Sequence, residues 1–205
     1  AVVNHLYDDY PDTHAYSDLN VPRSGEDEPV PWVLGSSPSS ATIAGELGLP
    51  YCFAAFIRPQ FAPDAFETYR EHFQPSRLAG GIDDPQGMLA VNAVCAETDD
   101  AAARRRAVAE ASYRRMQRGV VGTPSSVEAA IDELGEVPEP TPATLDSGEW
   151  PRAMSGSPDT LAGLFEQLTE RVDVEEVMIQ HVVADHDDAL RSHELLAEGV
   201  GLTPR

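Results

Sequence analysis

At 205 residues, 41% of them hydrophobic, the chain can bury one core, and its apolar segments recur throughout, which sets aside a disordered acidic protein. Thirty-five aspartates and glutamates stand against 14 basic residues, all of them arginine, for a net charge of −21. This balance argues against DNA, RNA or anionic membranes as partners, and scattered acids without any lysine predict adaptation to high salt, where repulsion is screened.

No run approaches the roughly 18 apolar residues that span a bilayer, and no signal peptide opens the chain, so a cytoplasmic protein is expected. The first residue is Ala1 rather than methionine, which fits a fragment or a processed product. Cys52 and Cys95 each sit inside an apolar run and read as buried free thiols.

Residues 1–28 are aromatic, acidic and proline-bearing, and read as a connecting segment before the main domain at 29–205. Strand–helix units follow. VPWVLG (30–35) predicts a short strand and SSATIAGELG (39–48) a helix; LPYCFAAFI (49–57) predicts a second strand. In APDAFETYREHF (62–73), Ala65, Phe66, Tyr69 and Phe73 fall on one helical face. GMLAVNAVCAET (87–98) is the third predicted strand. The helix after it, 99–119, starts on aspartates and ends among arginines, as the helix dipole favours.

Proline, glycine and serine punctuate 120–155, where only SVEAAIDELG (126–135) looks helical, so this stretch reads as an excursion. A capped helix (156–173), a fourth strand VEEVMIQHVV (174–183) and a final helix (185–200) close the chain. Apolar strands without a period of two, alternating with helices, predict an α/β fold with a parallel sheet. Four such units suit half of a (β/α)₈ barrel or a small doubly wound sheet.

The turn after the first strand, GSSPSS (35–40), is the best candidate site. Gly35 permits a close approach, Ser36, Ser37, Ser39 and Ser40 offer hydroxyls, and the helix start offers unpaired N–H groups, together a cradle for an anion. The same residues also suit plain capping, with Ser37 or Ser39 as N-cap and Pro38 in the first turn. Neither GxGxxG nor GxxxxGK[ST] occurs, so no nucleotide fingerprint supports the site.

WVLGSSPSSATIAGELGLPYCFAAFI resembles a segment of the bacterial luciferase-like flavin monooxygenases: a strand, a hydroxyl-rich turn, a helix ending in A-x-x-x-G-L-P, and another strand. GSPDTLAGLFEQL leading into VEEVMIQ, and DHDDALRSHELLAE, resemble that family's C-terminal elements. The resemblance implies the second half of a TIM barrel and a flavin-dependent oxidoreductase using reduced FMN and O₂ on an organic substrate. It also implies that Gly35, Ser36, Ser37 and Ser40 bind the flavin phosphate. Deazaflavin F420 and hydride transfer are the alternative within the same fold; a flavin-binding or dimerising protein without turnover is another. Half a barrel leaves sheet edges, which implies a homo-oligomer or a missing N-terminal half.

Two further residues are candidates to face a ligand: Arg58, beyond the second strand, and His181, in the last strand. His181, His186 and His193 lack the spacing of a metal site, and Asp185 reads as an N-cap. The arginines at 104–106, 114 and 115 read as salt-bridge partners of nearby acids.

Overall fold

A computed structural model describes residues 11–18, 30–76 and 80–202. Most of the predicted connecting segment therefore lies outside the described residues, and Asp12–Asp18 within it forms exposed turns. The chain divides into two compact units, Ala1–Phe53 with Phe61–Met88 and Ala54–Gln60 with Leu89–Arg205.

In the first unit, β1 (Val33–Gly35) pairs in parallel with β2 (Tyr51–Ala54), Val33 opposite Tyr51 and Gly35 opposite Phe53. Between them α1 (Pro38–Leu47) ends at Gly48, whose left-handed φ of 59° is a conformation glycine adopts without a Cβ penalty. α2 (Ala62–His72) follows. Gly45 lets the two helices touch backbone to backbone, since a Cβ there would stand 2.8 Å from the Tyr69 carbonyl. Tyr51, Phe53, Phe66 and Tyr69 form the core, with Tyr51 5.8 Å from Phe66 and 5.4 Å from Tyr69 between ring centroids. Each such buried ring contributes about 2 kcal/mol through lost apolar surface. The Tyr69 hydroxyl donates to the Leu49 carbonyl at 3.0 Å and accepts from the Gln86 N–H at 3.1 Å, so its burial leaves no polar atom unmet.

In the second unit, β3 (Gly87–Cys95) pairs in parallel with β4 (Ala153–Gly156), Asn92 opposite Ala153, and β5 (Glu176–Gln180) also pairs with β3. Helices α3 (Asp99–Gln117), α4 (Val127–Leu134), α5 (Pro158–Val172) and α6 (His186–Gly199) complete the unit, α3 and α5 packing on β4, α4 on α3 and α6 on α5. Ala107, Val108 and Ala111 of α3 pack with Ala130 and Leu134 of α4, small residues that let the helices approach closely.

The parallel α/β reading holds, with two refinements. The excursion contains a strand, β4, which the sequence reading left irregular: AMSG is too short and too small in side chains to register as an apolar run, and its pairing with β3 defines it. β5 alternates exposed and half-buried residues along its length, unlike the wholly apolar strand expected there. Asp185 does cap α6, accepting from the N–H groups of Asp187 and Asp188. Among the described residues no helix is long and apolar enough to cross a membrane.

Candidate functional site

The serine-rich turn lies wholly in the first unit. β1 ends at Gly35, and α1 begins with Ser37 as N-cap in extended backbone and Pro38 as its first residue, where a missing N–H costs nothing. Ser40 is committed within the fold. Its hydroxyl donates to the Ser37 carbonyl at 2.7 Å and accepts from the Ser37 N–H at 3.4 Å. The Tyr51 hydroxyl lies 3.1 Å away, and since the Ser40 proton is taken, Tyr51 donates. Burial raises the Tyr51 phenol above its ordinary value, which keeps that donor protonated.

Gly35 has an internal reason as well. A Cβ there would collide with the Ser40 side chain, so glycine at 35 and the folded-in serine at 40 require each other. Ser36 differs from Ser40: its hydroxyl has no partner among the described residues. The first turn of α1 holds no acid, whereas α2 to α6 carry Asp64, Asp99 and Asp100, Glu128, Asp159, and Asp187 and Asp188 there. In a chain of this charge, the positive end of α1 has thus been left without a side-chain anion. Hydroxyls, backbone N–H groups and an uncompensated helix dipole fit a phosphate group.

A separate cavity of about 820 Å³ lies in the second unit. Arg58 lines it, together with Arg106, Arg114 and Arg152, the aromatic rings of Phe56 and Tyr113, and the amides of Asn92 and Gln180. Arg106 is locked: its guanidinium donates to the Thr141 hydroxyl and the Glu139 carbonyl, and its Nε stands 2.9 Å from the Glu110 carboxylate. Arg114 reaches the Leu134 carbonyl at 3.3 Å. Arg152 donates through one nitrogen to the carbonyls of Phe56 (3.0 Å) and Ile57 (2.6 Å) and lies 4.0 Å over the Tyr113 ring. Sequence reasoning singled out Arg58 but missed Arg152, which sits in a proline-rich stretch and gains its setting from residues some forty and a hundred positions away.

His181 is not among the residues lining this cavity, although its neighbours Gln180 and Val182 are. Its Nε2 lies 2.7 Å from the Ser192 hydroxyl, which in turn accepts from the Cys95 N–H at 2.8 Å. The other ring nitrogen, Nδ1, is buried without a partner among the described residues. Burial, and secondarily His193 with its ring centroid 4.0 Å away, push the His181 imidazole down to about 4. Cys52 and Cys95 are free and buried, and burial pushes both thiols up to about 11, far from a nucleophile's range. Among the described residues no cluster of histidine, cysteine and carboxylates could hold a metal ion.

Arg106 of α3 pairs within the helix with Glu110, as its spacing predicts, whereas Arg105 reaches Asp188 of α6 at 2.8 Å and Arg115 reaches Glu133 of α4 at 2.7 Å.

Residues 12–173 match the family model for luciferase-like monooxygenases. The chain is 31% identical to the uncharacterised protein YvbT of Bacillus subtilis (strain 168) over 178 residues, covering 87% of this chain and 51% of that protein. It is 27% identical to a luciferase-like monooxygenase of Escherichia coli (strain K12), covering 85% of this chain and 50% of that one. Among solved structures, apo-MsnO8 is similar at 40% identity with a TM-score of 0.75, over 92% of this chain and 56% of that one. The oxygenating constituent of 3,6-diketocamphane monooxygenase from Pseudomonas putida, at 20% identity and a TM-score of 0.50, shares the fold. The chain spans about half the length of the relatives it matches.

Proposed function

Because the chain belongs to the luciferase-like monooxygenase family, we propose that it grips the flavin phosphate in an oxidoreductase that uses reduced FMN and O₂ on an organic substrate. The observation that carries this reading is the N-terminus of α1, which alone among the six α-helices of the described residues has no acid in its first turn. Beside it stands the unengaged Ser36 hydroxyl. FMN is favoured because the diketocamphane enzyme constituent, which has this fold, is described in complex with FMN.

The division of labour in the turn follows from its hydrogen bonds. Ser36 and the Ser39 N–H, the one left unused at the helix start among the described residues, meet the phosphate, while Ser40, tied to Ser37 and Tyr51, holds the turn in shape. Gly35 keeps the strand close enough for Ser40 to fold under it. The reduced flavin supplies the electrons for O₂ chemistry; this chain's own contribution is to hold and orient it. The rest of the flavin pocket is assigned to protein beyond these residues or to a second copy, in keeping with relatives about twice as long.

Comparing FMN with riboflavin, which differs only in lacking the phosphate, isolates this claim. Calorimetric titration of the 205-residue chain should show FMN binding at least about tenfold tighter, as expected for charge-assisted hydrogen bonds to one phosphate. Ser36→Asp, which places a carboxylate where the phosphate sits, should erase the difference. Equal affinities in the unsubstituted chain would refute the assignment. F420 uptake in place of FMN would move the reading to hydride transfer. FMN binding without oxygen consumption, once a reductase and NADH are added, would reduce the reading to a flavin-binding protein.

A further inference from the structure

In a chain with 35 acids, Arg104, Arg105, Arg106, Arg114, Arg115 and Arg191 each have a carboxylate within 4.0 Å, whereas Arg152 has none among the described residues. Arg171, held by three carbonyls near the Trp150 ring, has none either, but it does not line the cavity. Two carbonyls and the Tyr113 face hold the Arg152 guanidinium in place. They stabilise the charge without neutralising it, and they leave the Nε–Nη2 edge without a hydrogen bond.

A second observation points to the same spot. Asn92, in β3, lies opposite Ala153, the residue after Arg152. It is 7% exposed and lines the cavity, yet its amide makes no hydrogen bond among the described residues. Among the described residues, the buried side-chain atoms without a partner are on Arg105, Arg106 and His181, so the Asn92 amide is open to the cavity, where it can give or accept a hydrogen bond. Phe56, Ile57, Met116 and Val182 supply apolar wall, and the acid in the lining, Glu110, is paired with Arg106 at 2.9 Å.

We propose that this cavity binds an apolar, ring-bearing organic molecule carrying one carboxylate or sulfonate, with Arg152 as the anchor of its anionic group and Asn92 receiving a neighbouring polar atom. The fork of the guanidinium matches the two oxygens of a carboxylate. The apolar walls take the rings, and the volume of about 820 Å³ lies in the range of small-molecule sites. This binding is a property of the second unit and stands apart from the flavin assignment, which rests on a turn in the first.

The test compares 2-naphthoate with 2-naphthamide, its neutral counterpart of the same shape, by calorimetry on the 205-residue chain. Naphthoate should bind about tenfold or more tightly than the amide, the advantage of a charged hydrogen-bonded pair over a neutral one. Arg152→Met should remove that preference, and Arg152→Lys should restore part of it by keeping charge without the fork. A ratio of affinities near one in the unsubstituted chain, or a ratio that survives Arg152→Met, would overturn the proposal. If Arg152→Met does not fold, as judged by far-ultraviolet dichroism, Ala109→Trp serves: from a half-buried position of the cavity wall it adds bulk to the cavity, touches none of the Arg152 hydrogen bonds, and should abolish naphthoate binding. Undiminished binding to that variant would also overturn the proposal. Displacement of naphthoate by FMN, one for one, would mean that the cavity belongs to the flavin's own site, and the proposal would fall.

Discussion

Replacing Ser40 by alanine removes three hydrogen bonds at once. The Ser37 N–H loses its acceptor at the start of α1, the Ser37 carbonyl loses a donor at 2.7 Å, and the Tyr51 hydroxyl loses its partner at 3.1 Å. Water reaches the serines, which are only half-buried, so their share resembles an ordinary cap, about 0.5–1 kcal/mol. Tyr51 is fully buried and keeps only a long 3.4 Å contact to the Ser37 carbonyl, so stranding its hydroxyl costs about 1–2 kcal/mol more. Ser40→Ala should therefore cost about 2 kcal/mol, read as a drop of about 4–8 °C in Tm for a chain of this size. The reasoning also demands coupling. In a Tyr51→Phe background no hydroxyl remains to strand, so Ser40→Ala should cost less than half as much, measured by urea unfolding of all four proteins. Additive losses, or a Ser40→Ala cost below about 0.5 kcal/mol, would show that the turn is not held by this network.

Two other perturbations test the second unit. His181, pushed down to about 4 from its ordinary 6.5, binds fewer protons folded than unfolded. The stability permitted by its neutral form is therefore complete above about pH 6.5 and falls as the pH drops toward about 4. Urea titrations from pH 7 to 5 should show a steeper decline than in His181→Gln, and nitrogen NMR should find the neutral imidazole throughout; a midpoint near 6.5 would contradict the buried geometry. Arg106→Met strips the Thr141 hydroxyl, the Glu139 carbonyl and the Glu110 carboxylate of one shared partner. With Arg106 only 8% exposed, the expected loss is about 2–4 kcal/mol in chemical denaturation, and a loss below about 1 kcal/mol would count against the network.

Local chemistry made much of the fold readable. Ser37, Pro38 and Gly48 bound α1, and Asp185 opens α6, because caps act over three or four residues. The long helix α3 and its Arg106–Glu110 pair follow from spacing along one face, whereas Arg105 and Arg115 reach acids on α6 and α4. Contacts distant in sequence were not legible. β4 is a strand because β3 lies alongside, and Ser192 is buried because the Cys95 N–H, 97 positions earlier, needs an acceptor. Arg106 read as one half of a surface pair with Glu110, while its burial comes from Thr141 and Glu139. In the candidate turn the sequence could name the hydroxyls but not distinguish them. Tyr51, eleven residues beyond Ser40, marks Ser40 as a structural residue, whereas the hydroxyls of half-buried Ser36 and exposed Ser39 have no partner among the described residues.

The unpaired guanidinium of Arg152 gives the molecule an inverted response to ionic strength. At −21, the field beyond the surface turns anions away, so at low salt a carboxylate meets repulsion long before it meets the arginine. Added electrolyte shortens that repulsion to about 3 Å at 1 M, whereas contact inside a partly enclosed cavity is screened far less. An anion should therefore associate faster as salt rises, opposite to the behaviour of a basic protein receiving the same molecule.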